Sequence, residues 1–181
     1  MTEPQRSILE MIKEGREKLS ANPWIMSGNS TGDPHKKFAY TIGMSRFNRW
    51  DFCIWGIDAE DAASLLGNVA LKELVAPPKH YRPGDVLDDI GLTVSSTWKV
   101  IMIEMCEKAK RDIMMMHYLI FGEDVPLNAM QLTWPDNNGV FPWEEDSLAL
   151  HPFFGDHALL GQPNEWGQTG PQHRREANSD H

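Results

Sequence analysis

Tyr40 and Thr41 stand in the run Phe38-Ala-Tyr-Thr-Ile-Gly-Met44. A phenol and a hydroxyl at a strand end, beside an open glycine backbone, can contact a ligand. The same alternation can instead bury Phe38, Tyr40 and Ile42 on one sheet face, with Gly43 marking a bend. Further along, Gln131, Trp134, Asp136, Phe141 and Trp143 gather around one expected hairpin, followed directly by Glu144, Glu145 and Asp146. Such a cluster makes cross-strand packing with Asp136 in the turn, or an aromatic-rimmed pocket with Asp136 as acid, base or cation contact. His117, followed by Tyr118, is a second candidate for proton transfer. His151 and His157 flank Asp156 and are the nearest approach to a metal pair. No histidine pair at helical i, i+4 spacing and no Cys/His cluster supplies a preorganised ligand set, so no metal or other cofactor is expected. The methionines Met102, Met105 and Met114-Met-Met116 read as core filler, and Cys53 and Cys106, in apolar stretches, as inert thiols. Walker loops, dinucleotide-binding glycines and a serine-hydrolase elbow are absent from the sequence.

These side chains need elements to hold them. Residues 4–20 carry Ile8, Met11, Ile12 and Leu19 at helical spacing, and Asn22-Pro23 ends that helix. Trp24-Ile-Met26 is a short strand, residues 27–37 a loop, and residues 38–44 a second strand. Phe52 to Ile57 is nearly continuous in apolar residues and reads as a strand buried on both faces. Asp58 then suits the cap of a helix running to about Val75, stopped by Pro77-Pro78. Strands are expected around residues 86–90 and 92–105, then one helix over 107–121 ended by Gly122. Met130 to Trp134 is a strand, Pro135 to Gly139 a turn, and Val140 to Trp143 the return. The expectation is an α+β single domain: a mostly antiparallel or mixed sheet packed by about three helices. It divides as a helix over 1–21, a core over 22–166 and a disordered tail over 167–181.

With 181 residues, 41% hydrophobic and 24% charged, the chain is ordinary globular material for one domain. The net charge of −9 argues against a general binder of nucleic acid or anionic membranes, since both need a basic face. That charge is uneven. Residues 111–166 hold one basic residue, Arg111, against nine acids, whereas residues 22–50 hold four basic residues against one acid. The exclusion of nucleic acid is therefore weaker for the surface of residues 22–50. No apolar run has membrane length, no leader is read at the N-terminus, and two cysteines fit a reducing cytoplasm.

Several segments together resemble a bacterial family known as domain of unknown function 4262. They are Phe38 to Gly43, the apolar strand ending Gly56-Ile57 with its following helix, Arg82-Pro-Gly-Asp85, and Gln131 to Asp136 with Gly139 and Phe141-Pro-Trp143. Leu159-Leu-Gly-Gln-Pro163 is similar to the family's ending in altered order. Met44 stands where the family usually has leucine, and residues 46–51 lack its common Pro-Glu before the strand. The resemblance implies a shared fold and names no reaction.

Two functions stay open, beside a weaker third, a metal protein using His151 and His157. One is a binding, accessory or neutralising domain of a bacterium or phage, meeting a basic protein partner through the acidic stretch 111–166. The other is a small-molecule enzyme with its pocket between the Tyr40 strand and the Trp134–Trp143 hairpin. No membrane is expected among its partners.

Overall fold

The computed structural model describes residues 3–29, 37–75, 80–87, 99–134 and 140–141. Helix α1 spans Glu3–Ala21 and strand β1 spans Ile25–Asn29, longer than the three residues expected from sequence. Strand β2, Phe38–Ile42, leads through Gly43 into a 3-10 turn at Met44–Phe47 and then β3, Asp51–Trp55. Gly43 has φ 116°, a conformation that costs any side chain, and a Cβ there would meet the Pro23 carbonyl oxygen at 2.9 Å. Helix α2 covers Ala59–Val75, and short β4, Val86–Leu87, precedes β5, Val100–Glu104.

Residues 107–121, expected as one helix, form two: α3, Glu107–Ile113, and α4, Met115–Phe121. The hinge is Met114, at φ −96° and ψ 37°, with its side chain fully buried. Burial of that thioether outweighs the helical preference of the segment, which has no internal Gly or Pro to announce a break. Strand β6, Ala129–Thr133, completes a six-stranded sheet in the order β1-β2-β3-β6-β5-β4. Every described pairing is antiparallel except β3 with β6. The domain is thus α+β, with a mixed sheet.

The central parallel pair explains the apolar run of β3. Phe52 and Ile54 join Met102, Met130, Leu132 and Trp134 under α2, together with Leu65, Leu66 and Val69. Cys53 faces the other way, with Tyr40, Ile42 and Ala129, against Leu19 of α1 and Met114 and Ile120 of the helical pair. Helix α1 docks mainly by its C-terminal half: Leu19 is buried, while Ile8, Leu9 and Met11 are exposed. Since β6 has β3 on one side and β5 on the other, it offers no free edge for a return strand at Val140–Trp143. Val140 and Phe141 lie outside any strand. A local hairpin reading misses this because the partners of β6 come from distant segments. Asp136, Trp143, Glu144, Glu145, Asp146, His151, His157 and the expected tail lie outside the described residues.

Candidate functional site

One carboxylate sits at the point where β2, the 3-10 turn, β3 and the run into β6 meet. Asp51 has no exposed surface. Its Oδ1 accepts from Thr41 Oγ1 at 2.9 Å and the Met44 N–H at 3.2 Å. Its Oδ2 accepts from the Ser45 N–H at 3.0 Å and Ser45 Oγ at 2.7 Å. Thr41 Oγ1 in turn accepts the Phe52 N–H at 2.8 Å, and Ser45 Oγ accepts the Asn128 N–H at 3.1 Å. The side chain closes a loop of backbone donors that strand pairing leaves over.

Burial pushes the Asp51 carboxyl above its ordinary 3.8, against the downward pull of the bonds from Ser45, Thr41 and Met44. A neutral carboxyl still fits. Ser45 Oγ lies 3.3 Å from the Asn128 carbonyl oxygen, so its hydroxyl can turn to donate there and accept the Asp51 proton. The folded chain therefore keeps this proton at pH values where the unfolded chain has lost it. The associated stability is complete below 3.8 and lost as pH rises through the raised folded value. The stability advantage of the native chain over Asp51→Asn is expected to grow as pH is lowered from 7 towards 4. Urea titrations of both chains across that range check it; a flat or shrinking gap contradicts it.

Among the residues expected to form a site, the structure places Tyr40, Thr41, Gln131, Trp134 and His117 all in the interior, each 3% exposed or less. Strand register aligns Ser27, Tyr40, Cys53 and Gln131 in one row across the sheet. Tyr40 Oη accepts the Met116 N–H at 3.4 Å, and burial raises its phenol above 10. Burial also pushes the Cys53 thiol up to about 12, which keeps it protonated and unreactive at neutral pH. Thr41 faces the opposite side of the sheet from Tyr40, and Trp134 packs in the core under α2. His117 Nε2 donates to the Val125 carbonyl oxygen at 2.8 Å and pins the turn after α4. Tyr40 and Gln131 thus share a face, while Thr41 and Trp134 lie across the sheet from them.

A second buried acid was not singled out from sequence. Glu73 on α2 accepts the Tyr81 N–H at Oε2, 3.0 Å away, and its Oε1 lies 3.4 Å from His80 Nδ1. Its charge contributes, after burial, to raising the Tyr81 phenol. Among the described residues no three His, Cys, Asp or Glu side chains are grouped to hold a metal. No described helix is long and apolar enough to cross a membrane.

A ligand-sized opening lies elsewhere. Helix α2 packs across β2 and β3, so β1 extends past it and leaves a cleft of about 380 Å³. Small residues open it, Gly28 and Ala39 from the strands and Ala59, Ala62 and Ala63 from the first turns of α2, with Met26, Phe38 and Ile57 as its larger apolar walls. At its mouth Lys37 Nζ donates to Asp58 Oδ1, and Ser27 and Asn29 add polar edges. Gly28 is required by close approach, since a Cβ there would fall 2.3 Å from the Phe38 carbonyl oxygen. No sequence motif marks this cleft, because its glycine and alanines are scattered over three elements.

The family model described as domain of unknown function (DUF4262) matches residues 20–148, most of the chain. The chain belongs to this family. No curated protein and no solved structure matches it. The matched span begins near the end of α1 and includes all six strands, both buried acids and the α2 cleft. Residues 46–51 carry Asp51 and a second fastening, Arg46. The Arg46 guanidinium donates to the carbonyl oxygens of Gly43, Leu19, Asn22 and Pro23 at 2.8–3.3 Å. A cation there also suits the negative end of α1. Arg46 ties the first helix to the β2–β3 corner.

Proposed function

We propose that this is a cytoplasmic recognition domain, accessory or regulatory in a bacterium or phage, whose ligand seats in the cleft between the β1–β2 ribbon and α2. The observation that carries this reading is the cleft itself. Its volume of about 380 Å³ is in the range of small-molecule sites, roughly 300–1,000 Å³. Its alanine and glycine walls suit an apolar body, and the Lys37–Asp58 pair at the mouth suits a polar end that meets both charges. Titrating phenol and acetamide into the 15N-labelled chain should shift the amides of Ser27, Gly28, Ala39, Ala62 and Ala63 together. Ala63→Trp fills the space and should abolish those shifts, with stability changed by less than about 1 kcal/mol because Ala63 is only half-buried. Shifts that persist in Ala63→Trp would sink the reading.

A second reading, a basic protein partner held by the acidic stretch, is favoured by the single basic residue among nine acids over residues 111–166. Complementary charge would act mainly on the rate of encounter. Reversing Glu144, Glu145 and Asp146 to lysine should then abolish capture of that partner at low salt.

A further inference from the structure

A different opening, on the face of the sheet away from α2, is lined by two arginines. The cleft occupies about 510 Å³ between α1, the 3-10 turn and the end of α4, with Arg16, Leu19, Arg46, Ile120 and Phe121 in its walls and Asp124 as its one carboxylate. Neither guanidinium forms an ion pair with a carboxylate among the described residues. Arg16 directs both Nε and Nη2 to a single acceptor, the Ile120 carbonyl oxygen, at 3.3 and 3.0 Å. Among the described residues its Nη1 donors have no protein partner, and Arg16 is exposed, so they face solvent. Arg46 is fixed by its bonds to four carbonyl oxygens, and its central carbon lies 5.2 Å from the Phe47 ring centroid and 5.8 Å from that of Phe121. The cation is thus held in place before any ligand arrives, so ordering it costs a ligand little.

We propose that this cleft binds an organic anion: a carboxylate or phosphate head held between Arg16 and Arg46, with a small apolar or aromatic body against Leu19, Ile120 and Phe121. Arg16 can offer paired donors from its Nη1 side to either head group, while Arg46, with one Nη1–H left, adds a fixed charge and a single donor. Contact with the half-buried Phe121 ring, beside the buried Leu19 and Ile120, distinguishes such a ligand from inorganic phosphate, which makes none. Asp124 on the rim repels the head and weakens binding, which gives the site a testable sign.

Calorimetric titrations of the full chain with benzoate, phenyl phosphate and inorganic phosphate test this, with benzyl alcohol as the uncharged control. Benzoate or phenyl phosphate should bind saturably, and whichever is tighter identifies the head group. Inorganic phosphate should bind at least tenfold more weakly, and benzyl alcohol should not saturate with Ala63→Trp, in which the α2 cleft is filled. Arg16→Gln should weaken the tighter anion about tenfold. Because Arg16 also joins α1 to α4, Asp124→Asn is the companion variant: Asp124 is exposed and makes no described bond, and its neutralisation should tighten binding several-fold. Ala63→Trp, on the other face, should leave these affinities unchanged. Equal binding of benzyl alcohol by Ala63→Trp, no saturable binding of either organic anion, or an Asp124→Asn variant that binds no more tightly than the native chain would overturn the proposal.

Discussion

Replacing Asp51 with alanine is expected to cost about 4 kcal/mol of folding stability, since it leaves several buried donors without an acceptor. Two of those donors are the backbone amides of Met44 and Ser45, which cannot turn elsewhere, and a third is the Thr41 hydroxyl; the Ser45 hydroxyl can turn to the Asn128 carbonyl oxygen. The loss is concentrated because one side chain serves β2, the 3-10 turn and β3 at once. With a urea dependence of about 1.5 kcal/mol per molar, the midpoint should fall by roughly 2.5 M. Thr41→Val and Ser45→Ala each remove one donor to the carboxyl and one acceptor of a backbone N–H, that of Phe52 or Asn128, so each should cost about 2 kcal/mol, less than Asp51→Ala. A loss below about 1 kcal/mol for Asp51→Ala would show that water enters and replaces the carboxylate, and that the corner is not closed as described.

Trp134→Ala is expected to cost about 4 kcal/mol, in the range for removing a buried indole from a core. Trp134 is 2% exposed and lies with Phe52, Met102 and Leu132 beneath α2. The substitution separates two roles open to an aromatic residue beside a turn. A ligand-contacting tryptophan at an open pocket would lose affinity while stability moved by about 0.5 kcal/mol or less. A packed one loses stability and leaves ligand affinity intact wherever the variant stays folded. Thermal or urea unfolding of Trp134→Ala decides this, and Trp134→Phe should recover about half of the loss because it refills much of the volume.

Where sequence and structure agree, the agreement comes from local signals. Helix α2 was legible in the apolar spacing of Ala62, Leu65, Leu66 and Val69 and in Pro77-Pro78 beyond it. The unbroken apolar run of β3 pointed to burial on both faces, and its place beside β6 supplies that. Sheet order had no such signal. The pairing of β3 with β6 joins Asp51 to Ala129 across most of the folded core, and nothing between Thr133 and Phe141 reveals that β6 is already flanked on both sides. The break at Met114 was equally silent, because its cause is a tertiary contact.

Candidate residues followed the same division. Tyr40 and Thr41 drew notice as hydroxyl groups near a strand end, and Thr41 does hold a functional-looking carboxylate, but as part of a sealed corner. Asp51 itself could have been found from a charged residue opening an apolar strand, where an isolated carboxylate must find partners or stay neutral. The α2 cleft could not, since Gly28, Ala39 and Ala63 acquire meaning only when β1 extends past the helix.

The central claim is that a ligand enters between β1, β2 and α2. Crystals of the full chain soaked separately in phenol, acetamide and isopropanol test it directly. The account predicts ordered probe molecules in contact with Ala39, Ala62 and Ala63, with the acetamide polar end at Lys37 or Asp58. Probes that order only at other surfaces, with this cleft holding none of the three, would contradict it.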